Sequence, residues 1–557
     1  MPHDVVITGG TVVDGTGAPA RTADVAIDGD RITAVGSPDE VGAGRRTIDA
    51  SGALVTPGFV DVHTHYDGQA TWDAQLTPSS WHGVTTVVMG NCGVGFAPVR
   101  PSDHGTLVEL MEGVEDIPGT ALHEGLAWDW ESFPEYLDAL ERRARDVDVA
   151  AQVPHGALRL YVMGERGAAR EPATADEIAS MARLAGEAVA AGALGFTTSR
   201  TKNHRTSRGD WTPTLTAAAD ELAGIASGLD DVGAGVLQVV SDFADLPAEL
   251  SAVIGMAEAS GRPLSISVTQ AGGRRVGYRA LLDAITAANG RGVRVSAQVA
   301  ARPVGLLLGL RATISPIGSS VTARSIGADV DALARDDVRS TVLAELAENP
   351  PVFGWDRIFP LGDPPDYEPP PSASVAACAA RAGVAPEAFV YDAVLAGELL
   401  YVPFLNYFDG DLEPAREMLT HPHSVLGLAD GGAHVGTICD ASFPTTMLTH
   451  WARDRSRGER LPLEHVVSMM TSRTASIVGL RDRGVLAAGL RADVNVVDFD
   501  GLRLRPPALA FDLPAGGKRF LQRADGYLHT FVAGEETYVN GEHTGALPGR
   551  LVRGAQR

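Results

Sequence analysis

Gly58-Phe59-Val60-Asp61-Val62-His63-Thr64-His65 is a short apolar run that ends in His-x-His. Side chains along a strand alternate faces, so His63 and His65 leave the strand end on the same side. Neutral imidazoles bind zinc and similar divalent ions well, and two on one side make half of a metal site. A bare His-x-His also fits two polar residues closing a strand, so the rest of the chain must decide between the readings.

Working outward, apolar β-like runs recur at 59–63, 84–89, 147–153, 193–199, 235–241, 263–270, 293–299 and 425–430. Most are separated by helical stretches. Thr174-Ala175-Asp176-Glu177 is a capping box. Ile178, Met181, Leu184 and Ala188 then follow a helical period, and Gly192 ends it. Strands alternating with helices in this number predict an α/β fold, a (β/α)8 TIM barrel.

Residues 4–57 have a different texture. Short alternating runs are broken by Gly9-Gly10, Asp14-Gly15 and Asp28-Gly29, which are hairpin signals. The texture returns at 492–498 and 530–534. Neither end has enough strands to stand alone, so the two termini are expected to form one small β-sandwich. The expected division is 1–57 for its first part, 58–484 for the barrel and 485–557 for its second part. The connection 300–424 is too long for a loop, with a helical pattern over 329–348 and a proline-rich turn at 363–371. It is expected to be a lid or pocket wall on the catalytic face.

The bulk properties narrow the function. With 557 residues, 45% hydrophobic and 21% charged, the chain is an ordinary globular one with a large core. A net charge of -24 argues against nucleic acid or an anionic membrane as partner. Cys92, Cys378 and Cys439 show no paired spacing, as in a reducing compartment. No signal-like N-terminus and no run of eighteen apolar residues is present, so a cytoplasmic protein is expected. Its partner is expected to be a small-molecule substrate, and homo-oligomerisation is left open.

Barrel active sites lie at the C-terminal ends of the strands. Strand one ends in His63 and His65. Strand two ends in Gly90-Asn91-Cys92-Gly93, and strand three in Pro154-His155-Gly156. Strand four ends in Thr198-Ser199-Arg200, with Lys202 and His204 just beyond. Strand eight ends in Leu428-Ala429-Asp430-Gly431-Gly432-Ala433-His434. Together with Ile7–Gly17, Pro57–His65, His155–Arg159, Gly192–Gly195, Asp482–Gly484 and Gly489–Asp493, these motifs resemble the N-acyl-D-amino-acid deacylase (D-aminoacylase) branch of the amidohydrolase superfamily over nearly the whole chain. The resemblance implies zinc-dependent hydrolysis of an amide. It implies His63, His65, Cys92 and Asp430 as metal ligands, and Asp430 as the catalytic base for the attacking water.

The chain departs from that pattern. No histidine occurs between His204 and His421, and the family's strand-five and strand-six histidines fall near Val240 and at Val268. Three readings follow. One zinc ion sits in the half-site of His63, His65 and Asp430, with Cys92 or water. Alternatively, His155, His434, Gln238 or Asp242 completes an altered site, or Lys202 does so as a carbamate. Otherwise the scaffold binds a ligand without metal. One ion is preferred over two, and another divalent metal is an alternative to zinc.

A carboxylate-bearing substrate is best met by arginine. Arg200 and Arg302, at the ends of strands four and seven, are therefore expected substrate contacts, as are His155 and His434. The expected activity is hydrolysis of a C–N bond in a small molecule such as an N-acyl-D-amino acid. Alternatives are a cyclic amide or carbamate hydrolase, a non-hydrolytic enzyme on the same scaffold, or a metal-free binding protein.

Overall fold

In the computed structural model, residues 2–270, 277–408 and 410–554 are described. Parallel strands form the centre. Phe59–Asp61 pairs with Val84–Met89, which pairs with Asp148–Ala151. After Gln152 the chain continues as Val153–Pro154, which opens the run Gly195–Arg200, Val236–Ser241, Leu264–Ser267, Val295–Val299 and Ser424–Leu426. Backbone bonds link the last strand back to the first, from Asp430 N to His63 O (3.1 Å) and from His65 N to Gly431 O (2.7 Å). Those bonds bring the residues after the first and eighth strands side by side.

The helix Ala175–Ala191 forms where its capping box predicts. Thr174 and Glu177 bond each other reciprocally, and Gly192 closes the helix with φ +119°. The strands are mostly shorter than their apolar runs. The last one stops at Leu426 because Leu428 and Asp430 take positive φ and turn the chain.

Strands from both ends of the chain join in one nine-stranded sheet. Its seam is Leu54–Pro57 against Val494–Val497, antiparallel, with Val494 opposite Pro57 and Val497 opposite Leu54. Ile7, Val25, Ile27 and Val55 bury against Val494, Val496 and Phe531. The C-terminal segment does more than finish this sheet: it returns to the central strands, where Val552 N donates to Val149 O at 2.7 Å. Beside that point, the buried Asp148 accepts from Arg483 (2.7 Å) and Arg491 (2.9 Å). Asp148 thus ties a central strand to the start of the C-terminal strands, 335 and 343 residues further along the chain.

The segment after the seventh parallel strand has its own antiparallel sheet, Gly305–Leu308 and Phe359–Pro360 on either side of Leu400–Pro403. Leu333, Val342, Leu346, Ile358, Val390 and Val402 form its core. The helical pattern over 329–348 is two helices, Val330–Leu333 and Asp336–Glu348. Asp329 caps the first by accepting from Ala332 N. Among the described residues no helix is long and apolar enough to cross a membrane.

Candidate metal centre

His63 and His65 lie just past the end of the first parallel strand. Asp61 holds that exit by accepting from His63 N at 3.1 Å. Both imidazoles are buried, with ring centroids 5.6 Å apart. Their Nε2 atoms converge on Asp430 Oδ1, at 3.3 Å from His63 and 3.7 Å from His65. Cys92 Sγ lies 3.3 Å from His63 Nε2. The ligand atoms of His63, His65 and Cys92 all lie within 4.8 Å of one another. Ligands 2.0–2.3 Å from a tetrahedral zinc stand roughly 3.3–3.8 Å apart, so the contacts of Asp430 with the two imidazoles and of Cys92 with His63 match the edges of such a site.

The backbone is bent to make this arrangement. Cys92, Leu428, Asp430, His434 and Asp116 all have positive φ, a conformation uncommon outside glycine and often kept at functional sites. Gly90, with φ +83°, lets the chain pass so close to the third strand that a Cβ there would stand 2.2 Å from Gln152 O. Gly432, with φ +89°, brings the eighth-strand turn similarly close to His65 O.

Burial sets the electrostatics. It pushes the pKa of His65 well below the usual imidazole range, helped by His63 and His434, so His65 is neutral and has a lone pair to offer. Burial likewise pushes the Cys92 thiol and the Glu115 carboxyl well up, each further raised by Asp430 and Asp67. Asp61 and Asp67 are raised to about 7, also by burial. A neutral His65 among crowded acids is the environment that a bound dication reverses. Both ring nitrogens of His65, and Glu115 Oε1, are buried without a hydrogen-bond partner. The donor set, its spacing and these orphaned atoms fit a divalent ion.

Of the residues singled out in the sequence, His63, His65, Cys92 and Asp430 come together. His434 joins them from the rim, with Nε2 3.6 Å from Glu115 Oε2 and its side chain a quarter exposed. His155, Arg200 and Arg302 are occupied elsewhere. His155 Nδ1 pairs with Thr198 Oγ1 (2.8 Å) and Nε2 with Glu221 Oε1 (3.0 Å), while Arg159 holds the same Glu221. Arg200 is bonded to Glu249 and to Ala217 O. Arg302 is buried, bonded to Thr446, Cys439 O and Asp440, and stacked 3.6 Å from the Tyr367 ring. In each case a neighbouring acceptor meets the cost of burying the polar group. Lys202 is exposed, and Asp242 accepts from Thr201 and from Lys202 N.

Two neighbours of the centre were not among the residues that the sequence pointed to. Glu115 is the last residue of the helix His104–Glu115, and its carboxylate reaches 3.4 Å from His65 Nδ1. Gln298, on the seventh parallel strand, places Oε1 2.7 Å from His63 Nδ1. A lone Glu at a helix end and a Gln inside a strand run look like surface and pattern-breaking residues until the fold closes. A glutamine in an otherwise apolar run is the one hint available.

The amidohydrolase family matches residues 46–543 of the chain. D-aminoacylase of Alcaligenes xylosoxydans xylosoxydans is 28% identical over 558 residues, 99% of this chain and 98% of that protein. N-acyl-D-glutamate deacylase of the same organism is 31% identical over 510 residues, 89% of this chain and 88% of that one. Among solved structures, a D-aminoacylase with a binuclear metal center, described by one-metal activation and second-metal attenuation, superposes with a TM-score of 0.68 at 27% identity, covering 99% of this chain and all of that one. N-acyl-D-glutamate deacylase from Bordetella bronchiseptica, complexed with zinc and a phosphonate mimic of the tetrahedral intermediate, gives 0.66 at 25% identity with the same coverage.

Proposed function

Because the chain belongs to the amidohydrolase family, we propose that it is a metal-dependent hydrolase of a carbon–nitrogen bond other than a peptide bond, acting on an N-acyl-D-amino acid or a close analogue. The observation that carries this reading is the convergence of His63 Nε2 and His65 Nε2 on Asp430 Oδ1, with Cys92 Sγ beside them.

His63, His65 and Asp430 would hold the ion, with Cys92 alongside. One ion is favoured over two, since the strand-five and strand-six positions hold Val240 and Val268 in place of imidazoles. Zinc is the preferred metal. A divalent ion in that position supplies polarisation of the amide carbonyl and acidification of water. The Asp430 carboxylate takes the proton of the attacking water as its oxygen bonds the carbonyl carbon. It returns that proton to the nitrogen as the C–N bond breaks. Burial of His63, His65 and Cys92 keeps bulk water from their ligand atoms. His434 at the rim is the substrate-side group of this scheme. His155, Arg200 and Arg302 support the walls through the bonds described above.

We read the eight parallel strands as a closed (β/α)8 barrel. The terminal sheet (1–57 and 485–557) is its attached β-sandwich, and residues 300–424 wall one side of the mouth. The test is to purify the protein without chelator and measure metal per chain alongside hydrolysis of N-acetyl-D-amino acids and their L enantiomers in oxygen-18 water. About one ion per chain, with labelled acetate and free D-amino acid, is the expected result. A chain that takes up no metal and turns over none of the panel would overturn the reading.

A further inference from the structure

Both histidines of the His-x-His pair have a specific polar group behind them. For His63 the bonding directions can be followed atom by atom. The Ser265 hydroxyl donates to Leu237 O (3.4 Å), so its oxygen is left to accept from Gln298 Nε2 at 3.0 Å. That fixes the amide with Oε1 toward His63 Nδ1, 2.7 Å away. A carbonyl oxygen only accepts, so Nδ1 must carry a proton, which leaves Nε2, beside Cys92 and Asp430, as the ring nitrogen that can bind an ion. The Gln298 side chain is itself pinned. It packs on Gly427, where a Cβ would stand 2.8 Å from Gln298 Cβ.

For His65 the group behind Nδ1 is a carboxyl. Glu115 Oε1 lies 3.4 Å from His65 Nδ1, and both atoms are buried with no hydrogen-bond partner. Glu115 also anchors the rim. Its backbone oxygen accepts from His434 N, and its Oε2 lies 3.6 Å from His434 Nε2. With an ion on His65 Nε2 the ring proton would sit on Nδ1, facing Glu115 Oε1, the same tautomer that Gln298 selects for His63.

We propose that Gln298 and Glu115 are the positioning residues of the metal centre, which hold His63 and His65 with Nδ1 protonated and Nε2 presented to the ion. The proposal rests on the reading that this pair binds a divalent ion. Neither residue touches the ion. Each raises the basicity of its imidazole and fixes the ring plane, a kind of contact whose loss typically weakens metal binding by 10–100-fold.

The test is zinc affinity, read by competition with a chromophoric chelator on the full chain. Gln298→Met, which keeps the volume and removes the acceptor, and Glu115→Ala are each expected to weaken zinc binding about 10–100-fold. Glu115→Gln, which retains an acceptor oxygen, is expected to recover most of that loss, which a purely structural role would not predict. Circular dichroism of the zinc-free proteins checks that the fold is kept. A measurement on the unaltered chain stands apart from the variants: two-bond proton–nitrogen correlation spectra of the zinc-loaded protein should show His63 and His65 protonated at Nδ1. Protonation at Nε2 in either ring, or affinities of Gln298→Met and Glu115→Ala equal to that of the parent, would overturn the proposal alone. A parent chain that binds no zinc would overturn it together with the metal reading.

Discussion

Asp430→Asn separates the two duties given to one carboxylate. The side chain is largely buried, with Oδ1 3.3 Å and 3.7 Å from the two Nε2 atoms. Asparagine has the same shape and keeps an oxygen at the ligand position. It also tolerates the φ of +48° at residue 430 better than most replacements, so little strain is added. What it cannot do is take a proton. Loss of a positioned general base costs about 10²–10⁴-fold in rate, or ~3–5 kcal/mol of transition-state stabilisation at 1.36 kcal/mol per tenfold. Turnover of N-acetyl-D-amino acids is measured by initial rates, with zinc per chain determined on the same samples. The expected outcome is zinc retained to at least half of the parent level and kcat down by at least a hundredfold. A variant that keeps its zinc and stays within tenfold of the parent kcat would refute the assignment of Asp430 as base. A variant that lost its zinc would assign the rate loss to the ligand role instead.

Two predictions concern the scaffold. Asp148→Ala removes the nearest carboxylate that the buried Arg483 and Arg491 share, leaving them Asp482 and Asp493, so the loss is at most the roughly 3–5 kcal/mol of a broken buried pair. Urea unfolding should show that loss, and an unchanged midpoint would mean that the central strand and the C-terminal segment are tied by other contacts. Glu368 gives a pH dependence: burial alone would push its carboxyl up, but the close contact with His450 (3.0 Å) and the hydrogen bonds from Arg455 (3.1 Å) override it and hold it at about 2, below its ordinary 4.5. A depressed carboxylate contributes stability that is complete above 4.5 and disappears as pH falls toward 2, worth about 3 kcal/mol in full. Glu368→Gln should therefore be less stable than the parent at pH 7, and the gap in melting temperature should narrow steadily below pH 4.5. A gap independent of pH would assign the loss to packing.

The His-x-His pair, the strand–helix alternation and the matching textures of the two termini were legible because they are local patterns. Alternation over a few residues states which face a strand buries, and a capping box marks a helix start within four residues. Asp430 and Cys92 were legible through motifs at strand ends. The strand ends themselves were overrun, since the positive φ of Leu428 and Asp430 leaves little trace in an apolar pattern. The partners of buried polar groups were out of reach. Arg302 and His155 are expected substrate contacts from their place at strand ends, but the partners that hold them could not be read from the sequence. Those partners are Asp440 and Glu221, and only the folded chain brings them there. Gln298 stands 235 residues from His63, and no period or spacing connects them. The sequence by itself determined which elements form and which strand ends carry candidate ligands, since hydrophobic burial acts along a few neighbouring residues. Tertiary structure alone decided which buried polar atoms meet, because an unpaired polar atom inside a protein is costly and its partner comes from whichever strand or helix the closed fold sets beside it.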